Sequence, residues 1–224
     1  MGEVRWGVIG NAKIGRDRVQ PAIEASNNGR LVTVASRSGP VTYDALLERD
    51  DIDAVYIPLP NHLHVEWSRR ALEAGKHVLC EKSITLSPAE LEPLMDLRPD
   101  LILSEAFMVR FHPQWVKTKE LVQSGAIGEV RAVNGQFSFY NVAPSNVRNQ
   151  PNMGGGGILD IGCYPIFAAR FVWGTEPVKA ASLIVEQADF GVDIQCSAIM
   201  QFPDNRHLSF QCSTQLDLHQ RMVF

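Results

Sequence analysis

The sequence predicts an α/β domain with a doubly wound parallel sheet, followed by an α+β domain with a large, mostly antiparallel sheet. In the first half, short apolar runs alternate with helix-like segments at the spacing of βαβ units. In the second half, several strand-like segments follow one another without helices between them, as in antiparallel sheets. We place the first domain at residues 1–106 and the second, with substrate and dimerisation surfaces, at 107–224.

Composition and charge exclude several classes of protein. The chain has 224 residues, of which 45% are apolar and 21% charged, and its formal net charge is −4. This balance is typical of a globular protein and gives no reason to expect nucleic acid as a partner. No apolar run approaches the roughly 20 residues of a membrane span, and the chain starts without a basic and apolar leader. We therefore expect no membrane partner and a cytoplasmic location, with four separate reduced cysteines.

A glycine turn near the start of the chain is the first candidate binding element. The apolar run from Arg5 ends at Gly10, and Gly10-x-Ala12-x-x-Gly15 follows the dinucleotide fingerprint with alanine at its second position. Alanine adds only a methyl group, so the turn can still present amides to a phosphate at a helix N-terminus. A plain tight turn is the alternative interpretation.

A second strand, Leu31 to Ala35, ends where dinucleotide folds select their cofactor. An Asp or Glu at this place would bind the 2′-hydroxyl of NAD. Here Ser36, Arg37 and Ser38 follow the strand, and a guanidinium with flanking hydroxyls suits a 2′-phosphate. The sequence favours NADP over NAD, although NAD is possible. The alternative interpretation is that Arg37 is a solvated loop arginine without a binding role.

Two further strand ends carry polar groups. The strand that ends at Ile57 leads into a proline-rich turn, Pro58 to His64, and the strand His77 to Glu81 leads into Lys82. Ligands of open α/β sheets sit outside the carboxyl ends of the parallel strands. We therefore expect Lys82 to face a ligand, although lysines at strand ends are often merely solvated.

The second half contains one helix that carries candidate chemistry. After a polar loop, a run of four glycines leads into a helix from about residue 158 to 173. Asp160 and Tyr164 are four residues apart, so both project from one helix face. Further strands are expected at 130–139, 180–186, 193–202 and 207–214, with a hairpin turn at Pro203-Asp204-Asn205 and the chain ending in mid-strand.

Several motifs together resemble one family. They are Gly-x-Ile-Gly-x-Ala, Glu81-Lys82 after a strand, Glu105-Ala106-Phe107-Met108 before a helix, and Gly-Gly-Gly-x-Leu-Asp-Ile-Gly-Cys-Tyr. The chain resembles the glucose–fructose oxidoreductase, inositol dehydrogenase and rhizopine-catabolism (Gfo/Idh/MocA) family, nearest its NADP-dependent dihydrodiol and xylose dehydrogenase branch. The resemblance implies a Rossmann domain, a sugar or polyol substrate, and a homodimer or homotetramer formed through the C-terminal sheet.

The resemblance also implies roles for individual residues. Lys82, Asp160 and Tyr164 match the catalytic positions. Arg110 and Phe111 match the substrate pocket. The positions that match cofactor contacts are Gly10, Asn11, Ala12, Ile14, Ser36, Arg37, Pro60, Asn61, His64 and Glu81.

The sequence departs from the family pattern in two ways. The family usually has Glu-Lys-Pro, whereas Ser83 follows Lys82 here, so the turn that aims the lysine could be less rigid. Family members are also longer, with a helix and strand where only Gly39 to Thr42 stands here, and the region around Leu97 looks shortened. We interpret the abrupt end and these short stretches as omitted residues.

The expected reaction is hydride transfer between NADP(H) and a secondary alcohol or carbonyl. The nicotinamide supplies the hydride chemistry, while Tyr164 would exchange the proton at the substrate oxygen. Lys82 would acidify this phenol and polarise the oxygen, and Asp160 would orient the substrate hydroxyl or Lys82. The alternative is a catalytically silent NADP-binding regulator. His62, His64 and Glu66 could suggest a metal site, but no distant further ligand follows at a recognisable spacing. We therefore expect no metal.

Overall fold

The computed structural model describes residues 2–224, and the chain divides into two compact units that meet in sequence between Ala106 and Phe107. The first unit contains a five-stranded sheet in the order β2-β1-β3-β4-β5, with every neighbouring pair parallel. Its strands are β1 (Val4–Ile9), β2 (Gly29–Ala35), β3 (Ala54–Ile57), β4 (His77–Glu81) and β5 (Leu103–Ala106). The predicted parallel doubly wound sheet is confirmed.

The helices of the first unit connect successive parallel strands. They are α1 (Gln20–Ala25), α2 (Tyr43–Leu47), α3 (His64–Glu73) and α4 (Pro88–Asp96), with a π-helical turn at Gly15–Val19 before α1. A core of aliphatic side chains fills the space between helices and sheet, and Val8, Ile9, Val55 and Ile57 are completely buried. Both faces of a parallel sheet are covered in this way, which is why its strands read as continuous apolar runs.

The strand order places the glycine turn at a special point of this sheet. From β1 the chain goes to β2, the edge strand on one side, and it returns to form β3 on the other side of β1. Ligands of doubly wound sheets bind where the strand order reverses, outside the carboxyl ends of the strands. Gly10, directly after β1, therefore lies where a dinucleotide fold presents its cofactor.

The second unit contains the other five-stranded sheet, in the order β10-β6-β9-β8-β7. Its strands are β6 (Ala132–Tyr140), β7 (Lys179–Gln187), β8 (Val192–Phe202), β9 (Arg206–Ser213) and β10 (Gln215–Val223), and its helices are α5 (Pro113–Gln123) and α6 (Cys163–Trp173). Three of the four strand pairs are antiparallel and the β6–β9 pair is parallel. The predicted mostly antiparallel sheet is confirmed.

The turn between β8 and β9 follows the sequence prediction closely. Asp204 and Asn205 have φ angles of 61° and 57°. Positive φ at both central residues defines a type I′ turn, which matches the twist of the two strands, and Asp and Asn tolerate it well. The turn fixes the register in which Cys196 pairs with Cys212.

Candidate active site

The glycine turn after β1 requires glycine at its first position. Gly10 has a φ of +121°, and a Cβ at this residue would lie 2.9 Å from Leu59 Cδ2. Its amide donates to the Ala35 carbonyl at 2.9 Å, which ties the turn to the end of β2. Ala12 is half-buried, whereas Asn11 and Ile14 are exposed. The backbone of the turn is thus held from two neighbouring strand ends while its outer side chains face solvent.

The residues after β2 form a short hydrogen-bonded turn. The Ser36 amide donates to the Val41 carbonyl, and the Gly39 amide donates to the Ser36 carbonyl, both at 3.2 Å. Arg37 projects from this turn and is exposed. Thr42 then caps α2, because its hydroxyl accepts from the Ala45 amide at 3.2 Å. The short stretch at Gly39 to Thr42 is therefore a closed connection that leaves the guanidinium of Arg37 on the surface.

Lys82 follows β4, two strands away from β1 in the same parallel sheet. The Tyr56 hydroxyl, from β3, donates to Glu81 Oε1 at 2.6 Å. Beyond Lys82, the Ile84 amide donates to Glu105 Oε1 at 2.9 Å. The Lys82–Ser83 peptide bond is cis, although residue 83 is serine. Side chains from the strands on both sides of β4 thus hold the Glu81 side chain before Lys82 and the Ile84 backbone after it.

Tyr56 is completely buried, and its hydroxyl is locked into this contact. Burial and the adjacent Glu81 carboxylate raise the pKa of Tyr56 far above its ordinary value. The phenol therefore remains protonated near neutral pH and donates a hydrogen bond to Glu81. A Cβ added at Gly15 would lie 3.5 Å from the Tyr56 ring, so the same side chain also packs beneath the helix that follows the glycine turn.

The proline-rich turn after β3 carries three of the predicted cofactor residues. Pro60 and Asn61 are half-buried, and Asn61 begins a 3₁₀ turn that leads into α3. His64 is completely buried. The structure therefore places His64 behind this turn and not on its surface, because a fully enclosed imidazole has no face to offer a ligand. The expected contact between His64 and a cofactor stays a prediction from the sequence.

In the second unit, Asp160 and Tyr164 lie where the π-helical turn Ile158–Gly162 continues into α6. Asp160 Oδ2 accepts from Arg148 Nε at 2.5 Å, and the Asp160 side chain is only 14% exposed. The Tyr164 ring packs against Phe107 and Phe137, with centroid distances of 5.1 and 5.5 Å. Asp160 is thus paired with a guanidinium, while aromatic neighbours fix the orientation of the phenol.

The glycine run before this helix is anchored by Asp193 on β8. The Ile158 amide donates to Asp193 Oδ2 at 2.7 Å. Gly156 has a φ of +119°, and a Cβ there would lie 2.2 Å from Asp193 Oδ1, so only glycine fits against the carboxylate. Burial raises the pKa of Asp193, although hydrogen bonds from the backbone oppose this effect. The Asp193 carboxylate therefore fixes the start of the helical segment that carries Asp160 and Tyr164.

The remaining predicted residues lie on the surface of the second unit, close to its first residue. Arg110 ends a 3₁₀ turn, and Phe111 is 71% exposed. Lys82 belongs to the first unit, whereas Asp160, Tyr164, Arg110 and Phe111 belong to the second. The meeting of Lys82 with Asp160 and Tyr164 stays a prediction from the sequence.

Sequence reasoning missed three residues that support these groups. Tyr56, Glu105 and Arg148 each hold a candidate residue or its neighbouring backbone. The Glu105 motif had been noted only as a mark of resemblance, and Tyr56 looked like an ordinary strand residue. Arg148 lies in a polar loop without regular pattern, so no spacing rule could have paired it with Asp160.

The described residues form no metal-binding cluster and no membrane-spanning helix, and two buried cysteines are unreactive. No cluster of three or more His, Cys, Asp or Glu side chains suited to a metal occurs in residues 2–224. Within the same range, no helix is both long and apolar enough to cross a membrane. Cys80 and Cys212 are completely buried, and burial raises the pKa of each thiol to about 12. These two thiols therefore stay protonated and unreactive near neutral pH.

Family models match almost the whole chain. Residues 4–100 match the oxidoreductase family with an NAD-binding Rossmann fold (GFO/IDH/MocA), and residues 115–224 match the GFO/IDH/MocA C-terminal domain. The matched ranges include Lys82, Asp160, Tyr164 and the predicted cofactor residues, whereas β5, Arg110 and Phe111 lie between them.

Individual proteins are similar over most of the chain. An uncharacterized oxidoreductase of Rhizobium meliloti is 42% identical over 96% of this chain and 70% of its own length. A D-xylose 1-dehydrogenase (NADP+) of Haloferax volcanii is 39% identical over 88% of this chain and 65% of its own length. The crystal structure of a 3-ketoreductase from Actinomadura kijaniata, in complex with NADP and TDP-benzene, superposes with a TM-score of 0.92 at 34% identity, over 99% of this chain and 73% of that one. The chain thus spans about two thirds of the length of these curated relatives.

Proposed function

The chain belongs to the GFO/IDH/MocA oxidoreductase family, and from that premise we propose that it transfers a hydride between NADP(H) and a sugar, polyol or related carbonyl compound. The observation that carries this proposal is the placement of three groups in the first unit. The glycine turn, Arg37 and Lys82 follow β1, β2 and β4 of one parallel sheet. The carboxyl ends of parallel strands share one edge, so a cofactor and a proton-handling lysine can meet there.

The residues at this edge fit a dinucleotide. A side chain at Gly10 would collide with Leu59, so the backbone of the turn is bare and open to a pyrophosphate. Arg37, exposed after β2, would pair with a 2′-phosphate, and Ser36 would add a hydroxyl. The NADP named in the relatives supports this choice over NAD. When bound, the nicotinamide supplies the hydride chemistry.

The protein's own residues would handle position and protons. In this proposal Tyr164 exchanges a proton with the substrate oxygen, and Lys82 donates a hydrogen bond to the same oxygen. Asp160, held in place by Arg148, orients the substrate hydroxyl or the Lys82 ammonium. Arg110 and Phe111, exposed on the second unit, contribute to binding the substrate. The D-xylose dehydrogenase among the relatives supports a carbohydrate as the substrate.

A screen of aldoses and polyols with NADP+, and of keto-sugars with NADPH, tests this proposal. The wild-type chain should turn over at least one of them, and Lys82→Met should lower kcat by about 10²-fold or more because a group active at the reacting oxygen is lost. NADPH affinity should change little, and Lys117→Met serves as a control for removing an exposed ammonium. NADPH binding without any turnover would favour the regulatory protein, and unchanged turnover in Lys82→Met would remove the lysine from the mechanism.

A further inference from the structure

His64 is a buried polar side chain that the proposed reaction does not use. It begins α3 and is completely buried. Its Nε2 lies 2.7 Å from the carbonyl oxygen of Leu59, and its Nδ1 lies 2.7 Å from the carbonyl oxygen of Ser83. One imidazole ring therefore bridges two backbone segments, at Leu59 and Ser83, that are 24 residues apart in sequence.

The first of these segments, at Leu59, supports the glycine turn after β1. Leu59 lies in the proline-rich turn after β3, and its Cδ2 is 2.9 Å from the point where a Cβ on Gly10 would be. The Pro58 carbonyl is 3.5 Å from the same point. A shift of the Leu59 backbone would therefore displace the surface on which the glycine turn rests.

The second segment is the turn that carries the candidate catalytic lysine. Ser83 follows Lys82 directly, so its carbonyl belongs to the backbone that aims the lysine side chain. Family members usually have a proline ring at this position, and serine offers no such constraint of its own φ. Here the carbonyl is fixed from outside, by a side chain of α3.

The chemistry of the two contacts makes the ring a strong tie. Carbonyl oxygens only accept hydrogen bonds, and the imidazole donates through whichever nitrogen carries a proton. A neutral ring donates to one carbonyl, and the imidazolium donates to both. A buried group whose hydrogen bond is lost incurs a desolvation cost, so the tie resists motion of either turn.

We propose that His64 is a positioning residue that couples the glycine turn at Gly10 to the backbone turn at Lys82 and Ser83. Its Nε2 holds the Leu59 backbone in place next to Gly10. Its Nδ1 holds the Ser83 backbone in place next to Lys82. The inference deepens the proposed function and rests on it for the identity of the cofactor. It replaces the expected direct contact of His64 with the cofactor by an action through the two backbones.

Two conservative variants separate the two sides of the ring. The amide nitrogen of His64→Asn takes the place of Nδ1, so this variant keeps the contact with Ser83 and loses the contact with Leu59. The longer His64→Gln places its amide nitrogen near Nε2, so it keeps Leu59 and loses Ser83. Ser68→Ala, one turn further along α3 and equally buried, serves as the matched control for disturbing the helix.

NADPH affinity and the reactivity of Lys82 are the two readouts. Affinity is measured by fluorescence titration, and reactivity as the rate of acetylation of Lys82 by acetic anhydride, relative to exposed Lys13, by mass spectrometry. We expect His64→Asn to weaken NADPH binding by about tenfold and to leave the labelling rate within about twofold. We expect His64→Gln to change the labelling rate by about threefold or more and to leave NADPH affinity within about twofold.

A common loss of both properties in both variants, or no change beyond that of Ser68→Ala, would overturn the proposal. Should neither variant fold, ¹⁵N-histidine spectra of the wild-type chain decide the matter. Slowly exchanging protons on both Nδ1 and Nε2 of His64 support the tie, and a rapidly exchanging or absent proton on either nitrogen contradicts it. Labelling of Lys82 requires no cofactor, so a wild-type chain that fails to bind NADPH would refute the proposed function and leave the Lys82 half of the tie testable.

Discussion

At the scale of single residues, the ion pair between Arg5 and Asp53 joins two central strands of the first unit. Arg5 lies on β1, and Asp53 directly precedes β3. The Arg5 amide and guanidinium donate to both carboxylate oxygens of Asp53, at distances from 2.6 to 2.9 Å. These hydrogen bonds lower the pKa of Asp53 to about 2. The pair fixes the start of β3 against β1, on which the positions of Gly10 and Leu59 at the other strand ends depend.

Asp53 should make the stability of the chain depend on pH in acid. An unfolded aspartate titrates near pH 3.9, above the folded value of about 2. The contribution of Asp53 is therefore complete above about pH 4 and is lost as the pH falls toward about 2. We predict that Asp53→Asn lowers the free energy of unfolding at pH 7, and that its difference from wild type shrinks across this window. Urea unfolding at several pH values measures this, with Asp50→Asn as the control for removing an exposed carboxylate from the same loop. A difference that stays constant down to pH 2 would contradict the assigned role.

The sequence predicted residue types and spacings at the candidate site better than it predicted burial. Gly10 and Lys82 could be found because each follows a recognisable strand. The enclosure of His64 could not, because it depends on how α3 packs over two turns that are distant in sequence. The pairing of Arg148 with Asp160 likewise depends on the path of an irregular loop.

At the scale of elements, the outer face of the second sheet exposes apolar side chains. Leu183 on β7 is 79% exposed and Ile199 on β8 is 60% exposed. Leu183 pairs across the strands with Ser197, and Ala181 pairs with Ile199, so these residues share one face. Exposed apolar patches of this kind mark protein interfaces. We propose that a second copy of the chain packs on this face to form the expected homodimer or homotetramer.

Charges on this face should disrupt such an assembly. We predict that the double variant Leu183→Lys with Ile199→Lys shifts the mass in solution to that of a single chain, because two ammonium groups would be buried in the interface. Light scattering after size-exclusion chromatography measures the mass. Met95→Lys, on an equally exposed residue of the first unit, is the control and should leave the mass unchanged. A wild-type chain that is monomeric would contradict the proposed pairing.

Most elements were predictable because their patterns are local. The hairpin at Asp204 and Asn205 is encoded by residues that tolerate positive φ, and the parallel strands by apolar runs of the right length. The parallel pairing of β6 with β9 was not predictable, because Val133 and its partner Leu208 are far apart in sequence and no local pattern specifies their register.

At the scale of the whole molecule, the two units carry different groups of candidate residues. The first unit carries the glycine turn, Arg37 and Lys82 on one parallel sheet, and the second carries Asp160 and Tyr164 at the start of α6. Both units match domain models of one oxidoreductase family. The central claim is that the first unit binds NADP(H) at its strand ends and prefers it to NAD(H).

Fluorescence titration of the wild-type chain with NADPH and, in parallel, NADH tests this claim most directly. The Arg37 guanidinium after β2 has a 2′-phosphate to pair with only in NADPH, so we predict at least about tenfold tighter binding of NADPH. Arg30→Gln, on an exposed arginine of β2, is the control and should preserve the preference. Equal binding of both cofactors, or tighter binding of NADH, would contradict the role of Arg37. Binding of neither cofactor would contradict the account as a whole.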